Sequence, residues 1–115
     1  MAAIIFREDG DAWFTSRWCM HRLLADTMSQ HRDEPDLRDE LDLCEAAGGV
    51  TLFLLSDDLA SRLVGAIKEV AQATVEGVML PRMNRKDSLT EEDEQGYKRG
   101  LTRLLRMIEE EYPNV

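Results

Sequence analysis

Disulfide-forming cysteine, linker-forming proline and glycine, and aromatic side chains are all scarce in this chain. Two cysteines, Cys19 and Cys44, make no disulfide framework of the kind that staples small secreted domains, so both are expected as buried, reduced thiols without metal. Three prolines and seven glycines leave no Pro- or Gly-rich linker, and one domain over residues 1–115 is expected. With two tryptophans, two tyrosines and three phenylalanines, the core must be filled mostly by Leu, Ile, Val, Met and Ala. No stretch approaches the ~20 apolar residues that cross a bilayer. The apolar run in "MAAIIFRED" is too short for a signal peptide and acids follow it at once. A cytoplasmic protein that does not engage membranes is the expectation.

Reaction motifs are missing too. There is no G-x-S-x-G and no phosphate-cradling glycine loop: Gly48-Gly49 leads into an apolar run, whereas a P-loop runs from strand into helix. Cys19 and His21 are two apart, which on a helix points them to nearly opposite sides, so they cannot share an ion. His21, His31 and Cys44 form no pair with ligand spacing. The acids Glu8, Asp9 and Asp11 suit a turn, and Asp57 and Asp58 suit a helix start. No catalytic residue, cofactor-binding residue or metal ligand is assigned, and enzymatic activity is not expected.

Positive charge is also short. There are 23 acids against 14 bases, a net charge of −9. Such a surface repels phosphate backbones, so nucleic acid is not an expected partner. It suits a basic protein partner, and it also serves solubility.

What is present reads as alternating elements. Segments 2–7 and 12–15 are predicted strands around Asp9-Gly10, a hairpin dipeptide whose tight turn needs positive φ at both central residues. Ser16 is a plausible N-cap for a helix over about 16–31, with Trp13, Cys19 or Met20, Leu23, Leu24, Thr27 and Met28 recurring at helical spacing. In "DEPDLRDELDLCEAAGG", Leu37, Leu41 and Cys44 share one helical face between Pro35 and Gly48. Leu41 and Leu43 alternate instead as a strand would, and a short helix is preferred. "VTLFLLS" reads as a strand over about 50–55 buried on both faces, hence central. Ser56 or Asp57 caps a long helix over about 57–80, with Ala60, Leu63, Ile67, Val70, Thr74 and Val78 inward; Gly77 can end it early and Pro81 must. Arg82, Arg85 and Lys86 lie in a connector. Ser88 or Thr90 then caps a helix over about 90–112, with Tyr97, Leu101, Leu104, Leu105, Ile108 and Tyr112 inward and Lys98, Arg99, Arg103 and Arg106 on the far face. The order predicts an α+β domain: a small, mainly antiparallel sheet packed on one side by the two long helices and an N-terminal helix.

Two features are left over. Residues 33–45 carry seven acids and one base, a density that like-charge repulsion disfavours unless solvent or a partner screens it. Asp33, Glu34, Asp36, Asp39, Glu40 and Asp42 are therefore the candidate partner-binding residues, and Trp13 or Trp18, where exposed beside them, is the natural anchor. Glu109, Glu110 and Glu111 sit where the dipole of the last helix disfavours negative charge.

In size, acidity and want of reaction motifs the chain looks like the small acidic immunity proteins and antitoxins of bacteria, which neutralise a toxin by covering it. That likeness is one of class, carried by no motif, so it transfers no residue. It implies a protein-binding inhibitor. The alternative is a homo-oligomeric structural or adaptor protein, such as a homodimer, that uses the Gly96/Gly100 edge of the last helix.

Overall fold

The computed structural model describes residues 2–77 and 91–115. It is an α+β fold with element order β1 (Ala2–Ile5), β2 (Ala12–Thr15), α1 (Arg17–Gln30), α2 (Pro35–Ala47), β3 (Gly49–Thr51), α3 (Asp57–Val75) and α4 (Glu91–Glu111). The expected caps at Ser88 or Thr90, the connector bases Arg82, Arg85 and Lys86, and Val78 lie outside the described residues.

β1 and β2 pair antiparallel, Ile4 opposite Trp13. The turn is not the two-residue one expected. Phe6 N donates to the Asp11 carbonyl at 3.1 Å, so residues 7–10 turn the chain, and Gly10 is not among the positive-φ glycines, which are Gly48 and Gly77. A four-residue loop spreads the reversal over more bonds and does not require the mirror-image dihedrals of a two-residue hairpin. The other pairing, β1 with β3, is parallel, with Ile4 opposite Val50. The sheet is thus mixed, in the order β2-β1-β3, where a mainly antiparallel one was expected. The chain from β2 to β3 spans α1 and α2, a connection long enough to return the third strand in the direction of the first.

The run after Gly49 differs most from expectation. β3 stops at Thr51, and Leu52–Leu54 form one 3-10 turn. β3 is an edge strand, and β1 is the central one. Val50 and Leu52 are buried, but Leu54 is 74% exposed and Phe53 is exposed too. A continuous apolar run fits a strand covered on both faces only if both faces have cover. Here only the inner face of the sheet does: Ala2, Ile4, Trp13 and Val50 are buried, while Ala3, Ile5 and Thr51 on the other face are half-buried and Phe14 is exposed.

The helices start and stop where local chemistry directs. Ser16 Oγ accepts from Cys19 N at 3.4 Å, and Ser56 Oγ accepts from Leu59 N at 3.2 Å, each satisfying an orphan N–H. Residues 35–47 are helical, resolving the helix-or-strand ambiguity: Pro35 stands in the first turn and Gly48, with φ 79°, closes the helix in the left-handed region that side chains avoid. Gly77 adopts φ 80° just beyond α3, and that helix ends at Val75 rather than near residue 80.

Three of the four helices, α1, α2 and α4, cover the inner face. α4 contacts β2, α1 contacts β1, and α2 contacts β3, while α3 packs between α1 and α4. The core is continuous from Ile4 through Leu23, Leu24, Leu41, Leu63, Ile67, Leu101, Leu104 and Ile108. Leu105 and Tyr112, placed inward from spacing, are half-buried at its margin. α2 and α4 therefore lie at opposite ends of the helical layer.

Candidate functional site

In α2 the buried residues are Leu37, Leu41 and Cys44. At 100° per residue, Asp39, Asp42 and Leu43 point away from that stripe, with Asp36 and Glu40 on its flank. Asp36, Asp39, Asp42 and Leu43 are exposed and Glu40 is half-buried. Leu43, 65% exposed, is thus an apolar residue standing one turn beyond a cluster of carboxylates. Asp33 is exposed just before the helix, and Glu34 is half-buried at its N-cap.

The six acids are not equivalent. Arg62 of α3 reaches across and donates to both oxygens of Asp36, at 2.6 and 3.2 Å. The same guanidinium lies 3.5 Å from Glu34. This hydrogen-bonded arginine draws the Asp36 carboxyl down to about 2, and the backbone N–H of Leu37 adds to the effect. His31, whose Nδ1 lies 2.6 Å from Glu34 Oε2, likewise lowers Glu34. The start of α2 is therefore clamped to α3 and to the end of α1. Among the described residues Asp33, Asp39 and Asp42 have no ion-pair partner. The patch thus divides into a structural half, Glu34 and Asp36, and an available half, Asp33, Asp39, Glu40 and Asp42.

Burial pushes the Cys44 thiol up to about 12, helped by the charge of neighbouring Glu40, so it stays protonated and a poor nucleophile at neutral pH. Cys19 is also buried, and both cysteines are free. Among the described residues no group of three His, Cys, Asp or Glu side chains is placed to hold a metal ion, and no helix is long and apolar enough to cross a membrane.

The two tryptophans separate. Trp13 is core, 3% exposed, with Nε1 donating to the Gly100 carbonyl at 2.9 Å. Trp18 is 40% exposed and tilts against Tyr97, ring centroids 5.9 Å apart. It also lines a cleft of about 310 Å³ with Arg17, His21 and Glu45 over a floor of Met20 and Leu24. His21 and Glu45 pair across this cleft and join α1 to α2. Asp42, one turn before Glu45, lies on the same flank of α2. The aromatic is therefore on the α1 side of α2, around the helix from Leu43.

Spacing along the sequence did not reveal Arg22. It is 3% exposed, with Nη1 2.7 Å from Glu94 Oε1 and its guanidinium carbon 4.6 Å from the centre of the Tyr97 ring. Asp26, one turn on, is buried as well. An i,i+4 Arg–Asp pair on a helix reads as a solvated face, but α4 brings Glu94 and Tyr97 against Arg22. Of the three late acids, Glu111 finds its reason: its Oε2 lies 2.5 Å from Arg7 Nε, which offsets the unfavourable helix dipole with a nearby cation.

No family model, no curated protein and no solved structure matches this chain.

Proposed function

We propose that the chain is a small acidic protein-binding module, without catalytic activity, that acts in the cytoplasm by covering a basic partner. The immunity proteins and antitoxins of bacteria are the class of inhibitor it fits. The observation that carries this reading is the outward face of α2, where unpaired carboxylates surround an exposed Leu43. Charges at a rim speed encounter and discourage wrong partners, and an apolar residue among them supplies contact that water does not compete for. α2 is well built to present such a face, because Arg62 fixes its start and Gly48 fixes its end.

The test leaves the clamp intact. Asp39→Lys with Glu40→Lys removes charge from the available half without touching Asp36. A partner recovered from native cells is expected to associate more slowly with this variant and to lose most of its salt dependence, while Leu43→Ala is expected to raise the dissociation rate. Unchanged kinetics in both variants, with the fold verified by circular dichroism, overturn the reading. The alternative, a homo-oligomeric adaptor, is favoured by one observation, the run of exposed bases on α4.

A further inference from the structure

At the end of the helical layer away from α2, residues 95–108 of α4 carry four bases and no acid. Arg99, Arg103 and Arg106 are exposed, Lys98 is half-buried, and among the described residues these four have no carboxylate partner. Helical geometry puts Gly96, Arg99, Arg103 and Arg106 on one outward flank, turned away from the buried Tyr97, Leu101, Leu104 and Ile108. Gly96 is exposed, and a Cβ there would meet only the Arg99 guanidinium, at 3.9 Å, among the described residues. The flank is thus a basic ridge with a shallow notch at one end.

We propose that the acidic face of α2 in one copy docks onto the basic flank of α4 in a second copy, head to tail. The inference rests on the reading of α2 as a surface for basic partners and names one such partner. Its ground is complementarity of sign and spacing. Laid antiparallel, with Leu43 over the Gly96 notch, the two helices bring Glu40 to Arg99 and set the acidic N-terminal end of α2, with Asp33 and the Arg62-bound Asp36, beside Arg103 and Arg106. The Leu43 side chain fills space that only a glycine leaves open. Antiparallel helices also place their dipoles favourably. The net charge of −9 does not forbid the contact, because at about 0.15 M salt charges more than ~8 Å apart are largely screened and the facing groups dominate.

Because the two faces lie at opposite ends of the molecule, the contact is heterologous. Each copy offers one face of each sign, so association continues into rings or open chains rather than stopping at a two-fold dimer.

Sedimentation of the purified chain tests this, with Asp39→Lys/Glu40→Lys as one variant and Arg99→Glu/Arg103→Glu as the other. The wild type is expected to exceed its 13.1 kDa monomer mass in a concentration-dependent way, and to fall back to it as salt is raised. Each variant alone is expected to be a monomer, and an equimolar mixture to associate again, because the charges are then exchanged between partners. A joined pair of sites, Leu43→Cys in one copy and Gly96→Cys in another, is expected to give an intermolecular disulfide under mild oxidation. A wild type that stays monomeric up to about 1 mM, the weak end of specific affinity, overturns the proposal. So does a mixture of variants that fails to associate when circular dichroism shows both folded. If the pure chain is monomeric while Asp39→Lys/Glu40→Lys still slows capture of a foreign partner, this inference falls and the reading of α2 stands. If that variant changes neither, both fall.

Discussion

Trp13 of β2 and Gly100 of α4 are 87 residues apart in the chain and joined by a 2.9 Å hydrogen bond from the indole Nε1 to the backbone carbonyl. The bond ties the edge strand to the last helix and leaves the ring packed over a residue with no side chain. Trp13→Phe keeps most of the apolar contact and removes the donor, so a loss of about 1 kcal/mol is expected from chemical denaturation. Gly100→Ala is expected to stabilise by about 0.5–1 kcal/mol. Its Cβ would sit 3.8 Å from Trp13 Cζ2, an ordinary contact, and alanine loses less backbone entropy in a helix. A destabilised Gly100→Ala would show that the two elements pack more tightly than this spacing.

Leucines 54 and 104 make a matched pair. Leu104 is fully buried and Leu54 is 74% exposed. Leu104→Ala is expected to cost about 2–5 kcal/mol, and Leu54→Ala no more than about 0.5 kcal/mol, as for surface sites. Thermal melting of the two variants side by side checks the assignment, and equal losses would contradict it.

The Asp36–Arg62 pair predicts a pH dependence of defined sign. The folded-state carboxyl is held at about 2, below its ordinary 3.8. Its contribution to stability is therefore present above about 3.8 and is lost as pH falls toward 2. Because the pair is exposed, the effect should be small and salt-sensitive. Titration of the Asp36 carboxyl by NMR should give a midpoint well below the ordinary 3.8, and Arg62→Gln should raise it toward that value.

How much of this was legible in the sequence follows from the range of the forces involved. Caps, stops and helical stripes act within a few residues, and they placed Ser16, Ser56, Gly48 and the buried faces of α1, α3 and α4 correctly. The composition of residues 33–45 and of 95–108 likewise placed acids and bases on two helices. Local signals could not say which face of an apolar run would find cover. That depends on whether a second layer arrives, and for Phe14, Phe53 and Leu54 none does among the described residues.

The sequence by itself determined an α+β domain with two strongly charged helices, because periodicity and charge are properties of neighbouring residues. Only the tertiary structure decided that β3 runs parallel to β1 at the sheet edge, that Arg22 is buried against Glu94 and Tyr97, and that Arg62 takes Asp36 out of the acidic patch. It also decided that the acidic and basic helices stand at opposite ends of one layer. Each of these joins residues brought together only when the chain closes, since a carboxylate's partner is set by distance in space and not by distance along the chain.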